Sequence, residues 1–291
     1  MPRLLLLLLC CCLLPALAAS QDSLKLLTWN IQMLPDGAAL FSKSLRKMQA
    51  KRLPWIVEYL EASDYEVVAL QEVFDRQQKR RLLRRLKKSY PYQVSTHTRR
   101  GAITSNGLVV LSRLPMRYVG HCIYKKGISS DKMAAKGCTL VEIDKNGKHI
   151  HIANTHLQSG GSEDCQTIRC AQYGDICTLL QTHSTKADLE LLLGDLNTEK
   201  HLKERYADML RRLNMSDFDI QGDERPYTID HTNYWKESDE QSQLDYILLR
   251  PNPRLPKAHV TGLQVIRPRR LYKGKNIDLA DHYGVSGWLV W

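Results

Sequence analysis

The chain has 291 residues, of which 43% are hydrophobic and 25% are charged, and its formal net charge at pH 7 is +11. This composition is typical of a globular protein and excludes a wholly disordered or collagen-like chain. The only long apolar run lies at the N-terminus, which excludes a multi-pass membrane protein.

Residues 1–19 have the pattern of a secretory signal peptide. Arg3 provides a basic start, residues 4–14 are leucines and cysteines, and an Ala-x-Ala pattern ends the segment near Ala18. The apolar run is shorter than the roughly 20 residues that span a bilayer, so a membrane anchor is the weaker interpretation. We therefore expect a secreted protein whose mature part begins at residue 20.

Five cysteines lie in this mature part: Cys122, Cys138, Cys165, Cys170 and Cys177. In an oxidising compartment we expect some of them to pair, although their odd number leaves at least one out. Their spacing matches no zinc motif. Asn214 begins an Asn-Met-Ser triplet, which is a glycosylation acceptor if the host is eukaryotic.

Short apolar runs alternate with longer amphipathic segments along the mature chain. Eight runs predict strands: Leu24–Trp29, Val67–Leu70, Leu108–Leu111, Thr139–Ile143, His149–Ala153, Leu189–Leu193, Asp245–Leu249 and Val285–Val290. Four segments predict helices: 46–62, 75–88, 166–183 and 199–213. The pattern favours a single α/β domain over residues 20–291, with stacked sheets inside and helices on the outer faces.

The predicted helix 75–88 is strongly basic. Its leucines fall on one face, and Lys and Arg side chains surround them. Such a charge run suits a polyanion such as nucleic acid, but it is also typical of a solvated face that keeps a protein soluble. The absence of interleaved aromatic residues in this run favours the solvated face.

Polar residues recur where the predicted strands end or begin. They are Asn30, Gln71, Glu72, Asn154, His156, Asp195, Asn197, Asp245, Asp281 and His282. Any one of them alone is explained as a turn residue or a helix cap. Because strand ends in stacked sheets converge on one rim, we expect the whole set to form a site there.

The residue types in this set indicate a particular chemistry. Glu72 and Asn30 offer the oxygen ligands that a hard cation such as Mg²⁺ prefers. Asp281 stands beside His282 and is expected to fix its tautomer, and Asp245 is a candidate partner for the second histidine, His156. No Cys or Ser nucleophile has an obvious base partner, which favours direct attack by water.

Six ordered motifs resemble those of the DNase-I-like endonuclease/exonuclease/phosphatase superfamily. They are Thr-Trp-Asn (28–30), Gln-Glu-Val-Phe-Asp (71–75), Asn-Thr-His-Leu-Gln (154–158), Gly-Asp-Leu-Asn (194–197), Leu-Asp-Tyr-Ile (244–247) and Asp-His-Tyr-Gly-Val (281–285). The resemblance implies a four-layered α/β sandwich, in which two packed, mostly antiparallel sheets are flanked by helices. It also implies phosphoester cleavage that depends on Mg²⁺, with Mn²⁺ as an alternative ion.

Within this superfamily the chain resembles the secreted neutral sphingomyelinases. The similar segments are Glu-Val-Phe-Asp (72–75), the loop 129–137, and Thr-His-Leu-Gln (155–158) with the cysteine-containing segment after it. The resemblance implies hydrolysis of sphingomyelin to ceramide and phosphocholine by a monomer that binds a sphingomyelin-containing membrane surface, with no stable nucleic-acid partner. The segment 267–275 departs from the aromatic hairpin of bacterial members because it is basic. Electrostatic docking on anionic headgroups is the alternative that this suggests.

The resemblance also implies roles for individual residues. Glu72 and Asn30 would hold the metal ion, and His282, oriented by Asp281, would take a proton from the attacking water. The remaining expected roles are water and phosphate positioning by Asp195 and Asn197, hydrogen-bond donation by His156 held by Asp245, and substrate contacts by Asn154, Lys136 and Asp131. Two rival interpretations stay open: a secreted nuclease with the same core, and a membrane-binding module without catalysis.

Overall fold

The computed structural model describes residues 22–35, 43–95, 97–98, 100–236 and 239–291. The predicted signal peptide, residues 1–19, lies outside this part of the chain. No helix in the described part combines the length and the apolar character needed to cross a membrane.

The described residues form strands and helices in an alternating order. The strands are β1 (Ser23–Met33), β2 (Val67–Val73), β3 (Tyr92–Ser95), β4 (Val109–Ser112), β5 (Met116–Ile123), β6 (Gly137–Lys145), β7 (Lys148–His156), β8 (Leu189–Asp195), β9 (Asp245–Leu249), β10 (His259–Ile266), β11 (Arg269–Tyr272), β12 (Lys275–Asp278) and β13 (Gly284–Val290). The helices are α1 (Lys43–Ala62), α2 (Arg76–Leu86), α3 (Glu163–His183) and α4 (Lys203–Leu213).

Each of the eight predicted strands and four predicted helices overlaps an observed one. Five strands were not predicted: β3, β5, β10, β11 and β12. Three of them, β3, β5 and β10, are edge strands, and β11 and β12 form a separate two-stranded hairpin. Edge strands bury fewer side chains than central ones, so they lack the apolar pattern by which a strand is recognised in sequence.

The central strands belong to two sheets. One has six strands in the order β10-β13-β1-β2-β4-β3, and the other has five in the order β5-β6-β7-β8-β9. One neighbouring pair in each sheet is parallel, β1 with β2 and β7 with β8, and the other pairs are antiparallel. Both sheets are therefore mixed and mostly antiparallel, as expected.

Apolar side chains form three buried clusters, one between the two sheets and one on the outer face of each sheet. Leu26 of β1, Val67 of β2 and Ile152 of β7 belong to the cluster between the two sheets. Helices α1 and α2 cover the outer face of the six-stranded sheet, where Ile56 packs in the same cluster as Trp29. Helices α3 and α4 cover the outer face of the five-stranded sheet. The four-layered α/β sandwich is thereby confirmed.

The four parallel-paired strands place their C-terminal ends together. Asn30 lies near the end of β1 and Asp195 ends β8, and the Asn30 Nδ2 atom donates to Asp195 Oδ2 at 3.1 Å. This bond joins the two sheets at one edge of the sandwich. We call the edge at which β1, β2, β7 and β8 end the polar edge.

The expected disulfide is not found among the residues that the structure describes. All five cysteines of the described chain are free thiols. Three of them lie on α3 and have separate partners: Cys165 contacts Ser162 Oγ, Cys170 contacts Asp208, and Cys177 contacts the Arg212 carbonyl oxygen. Closeness in sequence therefore does not bring these sulfur atoms together, because they occupy different turns of one helix.

Candidate active site

A buried group of two carboxylates and one imidazole lies at the polar edge. The Asp245 Oδ2 atom is 2.9 Å from Nδ1 of His282, and Asp195 Oδ2 is 3.8 Å from Nε2 of the same ring. One ligand atom from each of the three residues lies within 4.8 Å of the others, so this group is also able to hold a metal ion. His282 therefore has a carboxylate beside each of its ring nitrogens.

The expected pairing of the histidines with the aspartates was wrong. Asp245 contacts His282 rather than His156, and no hydrogen bond joins Asp281 to His282 among the described contacts. The sheet register explains the first correction, because Asp195 on β8 is paired with His156 on β7 at one side and with Asp245 on β9 at the other. His156 and Asp245 are thus two strand spacings apart, about 10 Å, which is too far for a hydrogen bond.

Strong electrostatic interactions set the protonation state of His282. Burial alone would lower the pKa of this ring, but the Asp245 and Asp195 carboxylates outweigh that effect and raise the pKa to about 10. An imidazole in this environment binds a proton tightly. The ring is therefore protonated near pH 7 in the metal-free chain, and it acts as a general base only after it has lost that proton.

His156 has the opposite character. Burial and the neighbouring Lys136 ammonium lower its pKa to about 3, so the ring is neutral near pH 7. Its Nε2 atom lies 3.1 Å from Lys136 Nζ and 3.4 Å from Asp195 Oδ2. Since an ammonium has only hydrogens to offer, Nε2 accepts a hydrogen bond from Lys136 in this state. Donation by His156 Nε2 to a phosphate therefore requires that Lys136 move its hydrogen bond elsewhere and that the ring proton move from Nδ1 to Nε2.

Lys136 is held by a polar chain of its own. Its Nζ atom lies 2.8 Å from Asp131 Oδ2 and donates to the Leu157 carbonyl oxygen at 2.9 Å. The same Asp131 oxygen accepts from the Ser159 backbone amide at 2.8 Å. The loop that carries Asp131, a 3-10 turn over Ser129–Met133, is thereby fastened to the residues that follow β7.

A further carboxylate at the polar edge belongs to Glu72. It has a positive φ of 56° at the end of β2, a conformation that few non-glycine residues adopt. Removal from water, together with the Asp281 carboxylate, raises the pKa of Glu72 to about 7, whereas Asn30 partly stabilises its charged form. The Asp281 Oδ1 atom is buried and has no hydrogen-bond partner in the described chain.

These features fit a divalent cation. Two carboxylates that repel each other, one of them with an orphaned buried oxygen, are costly unless a cation neutralises them. Oxygen donors of this kind suit Mg²⁺ better than a softer ion. Glu72, Asn30 and Asp281 are therefore the residues that would hold the metal on this side.

Asn197 and Gly194 give Asp195 its position. The Asn197 backbone amide donates to Asp195 Oδ1 at 3.1 Å, and Asn197 has a positive φ of 46°. A Cβ atom on Gly194 would lie 2.0 Å from the Thr155 carbonyl oxygen, so only glycine lets β8 approach β7 this closely. In the Gly-Asp-Leu-Asn motif the glycine is thus required for steric reasons, and the Asp and Asn residues have chemical roles.

Asn154 is not available as a substrate contact. Its Nδ2 atom donates to the Leu70 and Val109 carbonyl oxygens at 3.1 and 3.0 Å, and its Oδ1 accepts from Gln71 Nε2 at 2.8 Å. Both amide hydrogens are used to tie the five-stranded sheet to the six-stranded one. The structure therefore corrects the expected role of Asn154 to a link between the sheets.

Two residues of the site had no signal in the sequence. The Thr228 hydroxyl oxygen accepts from the backbone amides of Leu244 and Asp245 at 2.9 and 3.3 Å. Arg52 on α1 donates to the carbonyl oxygens of Ile31 and Leu279, on either side of the Glu72 region. Neither residue belongs to a motif, and only the folded chain brings them to the site.

Comparisons with known proteins agree with this geometry. Residues 27–282 match the Endonuclease/Exonuclease/phosphatase family. The chain is 29% identical over 297 residues to sphingomyelinase C 2 of Leptospira interrogans, covering 91% of this chain but only 46% of that protein. It is 28% identical to a phospholipase C of Staphylococcus aureus, covering 91% of this chain and 87% of that protein.

Solved structures show the same likeness. A Staphylococcus aureus beta toxin superimposes with a TM-score of 0.78 and 26% identity, over 91% of this chain and 99% of that one. Sphingomyelinase C from Streptomyces griseocarneus gives a TM-score of 0.76 and 26% identity, over 92% and 99% of the two chains. The protein is a member of the endonuclease/exonuclease/phosphatase family.

Proposed function

We propose that this protein is a secreted, Mg²⁺-dependent phosphodiesterase that hydrolyses sphingomyelin to ceramide and phosphocholine. The observation that carries the proposal is the buried group of Asp195, Asp245 and His282 facing Glu72 at the polar edge. The chemistry of this group is that of phosphoester hydrolysis, and relatives named sphingomyelinase C indicate the substrate.

His282 is the proposed general base. Its Nε2 atom takes a proton from the attacking water, and Asp245 on Nδ1 stabilises the imidazolium that results. Asp195 lies on the same side of the ring as Nε2, so it is placed to align that water. Asn197 in turn fixes the orientation of Asp195 through its backbone amide.

Glu72, Asn30 and Asp281 form the proposed metal side. Mg²⁺ bound there would supply Lewis-acid stabilisation of the phosphate charge. In the metal-free chain His282 holds a proton at neutral pH, because its pKa is about 10. The ring therefore has to lose that proton before it acts as the base.

Lys136 is the proposed cationic contact to the substrate. Its ammonium lies between Asp131 and His156, where it is able to exchange either partner for a phosphate oxygen. If the ring proton of His156 then moves from Nδ1 to Nε2, Nε2 donates to the charge building on the phosphoryl group. Asp131 acts through Lys136 and is a positioning residue.

The cellular setting is part of the proposal. The signal-like segment 1–19 supports secretion, and a single domain over residues 20–291 acts as a monomer at the membrane surface. A beta toxin and several enzymes named sphingomyelinase C among the similar proteins support a lipid substrate outside the cell.

A nuclease is the second candidate because the net charge of +11 and the exposed basic face of α2 favour polyanions. Incubation with sphingomyelin vesicles and with plasmid, each with Mg²⁺ and with a chelator, separates the two. Release of phosphocholine that needs Mg²⁺ and is lost in His282→Ala supports the proposal. Plasmid cleavage without phosphocholine release contradicts it, and vesicle leakage that survives both chelation and His282→Ala would indicate a module without catalysis.

A further inference from the structure

Two exposed apolar residues are joined through their backbones at the polar edge, outside the residues that we place in the catalytic machinery. Ile103 is 65% exposed and Met133 is 51% exposed. The Ile103 backbone amide donates to the Met133 carbonyl oxygen at 2.9 Å, and the residues after them, Thr104 and Ala134, form a parallel bridge. Two different loops therefore present these side chains as one unit, which we call the Ile103–Met133 patch.

The patch lies on the rim of the site. The loop after Ile103 reaches Gly107, whose carbonyl oxygen accepts from the Val73 amide at 2.8 Å, next to Glu72. The loop after Met133 leads within three residues to Lys136, which contacts His156. Both loops thus end at residues that touch or adjoin the proposed catalytic groups.

A third exposed apolar side chain lies on the β11–β12 hairpin. Leu271, 72% exposed, is carried by the β11–β12 hairpin, which follows β10 and precedes Asp281. In the six-stranded sheet β10 is four strand spacings from β4, a separation of about 19 Å. Since the Ile103 loop leads into β4, the patch and the hairpin attach to this sheet on opposite sides of β1 and β2, which carry Asn30 and Glu72.

The charges around these side chains indicate what covers them. Arg100 and Lys132 are exposed on the two loops of the patch, and Arg270 and Lys273 are exposed beside Leu271. Exposed apolar side chains with Lys and Arg nearby suit the boundary of a bilayer, where acyl chains lie beneath phosphate headgroups.

We propose that the Ile103–Met133 patch inserts into the headgroup region of a sphingomyelin-containing bilayer and, with Leu271, seats the mouth of the site on the lipid surface. The inference rests on the proposed function for its choice of lipid. It adds a docking surface on the side of the site opposite the basic hairpin.

The test measures partition of the full chain to vesicles of sphingomyelin and phosphatidylcholine, with Mg²⁺, in a His282→Ala background that leaves the lipid intact. We expect Ile103→Ser and Met133→Ser each to weaken partition about five-fold and the double variant about 25-fold, because each removes one partly buried apolar group from the lipid. Tyr92→Ser is the matched control. Tyr92 is 38% exposed, but it begins β3 at the end away from the polar edge, so partition should not change.

A second measurement separates docking from chemistry. With His282 present, the double variant should hydrolyse a water-soluble phosphocholine diester at the parent rate and lose activity only on vesicles. Unchanged partition of the double variant would overturn the docking surface, whatever the enzyme hydrolyses. Loss of a dimer in the double variant with vesicle partition intact would assign the patch to a second copy of the chain, which also overturns it. Failure of the parent to cleave sphingomyelin or the soluble diester would instead count against the proposed function.

Discussion

Asp245 and His282 come from different sheets of the sandwich and meet through a hydrogen bond of 2.9 Å between Oδ2 and Nδ1. Asp245 begins β9 at the edge of the five-stranded sheet, whereas His282 precedes β13 of the six-stranded sheet. The bond therefore crosses from one sheet to the other. The pKa of His282 therefore depends on how the two sheets pack against each other.

The first prediction concerns this bond. Asp245→Asn removes the charge that raises the pKa of His282 and disturbs the ring tautomer, so kcat should fall by at least about 10²-fold. The His282 pKa, followed by NMR of its ring protons in metal-free protein, should drop from about 10 toward its ordinary value of 6.5.

Asp281→Asn is the matched control for that prediction. Asp281 is the smallest named contributor to the His282 pKa but the largest charge effect on Glu72. This variant should change Mg²⁺ affinity more than the His282 pKa. A larger fall of the His282 pKa in Asp281→Asn than in Asp245→Asn would show that the structural pairing is wrong.

The second prediction concerns metal binding and pH. Because the pKa of Glu72 is raised to about 7, part of the metal-free protein carries a proton on this carboxyl at neutral pH. A metal ion needs the carboxylate, so Mg²⁺ affinity should rise as the pH rises through about 7, and binding should release protons below that pH. Calorimetric titration in two buffers of different ionisation enthalpy counts the protons released.

Glu72→Gln is the control for metal binding. It should bind Mg²⁺ at least about tenfold more weakly and without the proton release, since the titrating ligand is gone. Proton release that persists unchanged in Glu72→Gln would assign the effect to another group.

The third prediction concerns stability in acid. The pKa of His156 is about 3 in the folded protein, whereas its ordinary value is 6.5. Between these two pH values the ring is protonated in the unfolded chain and neutral in the folded chain. The stabilising contribution is therefore complete above pH 6.5 and is lost as the pH falls below it, by about 2 kcal/mol at pH 5. His282 acts in a different window, because its raised pKa contributes stability that is complete below 6.5 and is lost as the pH rises toward 10.

Urea unfolding of the metal-free protein near pH 7 and near pH 5 measures this loss. His156→Gln should lower the difference between the two conditions by about 2 kcal/mol. Some acid sensitivity should remain, because His151 is also buried with a lowered pKa. An equal pH dependence in the variant and the parent would mean that His156 does not hold its neutral form in the fold.

The sequence was informative where a single strand carries both an apolar pattern and a polar site residue near its end. Central strands such as β1 and β8 are mostly apolar before Asn30 and Asp195, which lie near their C-terminal ends, and this pattern predicts a shared edge. The pairing of Asp245 with His282 was not predictable, because it depends on the strand order β7-β8-β9 and on the packing of two sheets. Neighbours in sequence, Asp281 and His282, were the simpler and incorrect choice.

The last prediction concerns Thr228, which no sequence pattern marks. Its hydroxyl oxygen accepts from the backbone amides of Leu244 and Asp245, and its side chain is fully buried. Thr228→Val keeps the shape but leaves two buried amides without an acceptor, so the free energy of unfolding should fall by about 1–3 kcal/mol. The start of β9 should also shift, which moves the Asp245 carboxylate away from His282.

Thr228→Ser restores the oxygen and separates these two effects. It should recover the kcat and the raised His282 pKa even if the missing methyl group leaves some loss of stability. A merely structural role would lower stability in Thr228→Val while kcat and the His282 pKa of the folded protein stay unchanged. We expect both to fall together, because the hydroxyl that satisfies the backbone of β9 is also what aims the carboxylate at the base.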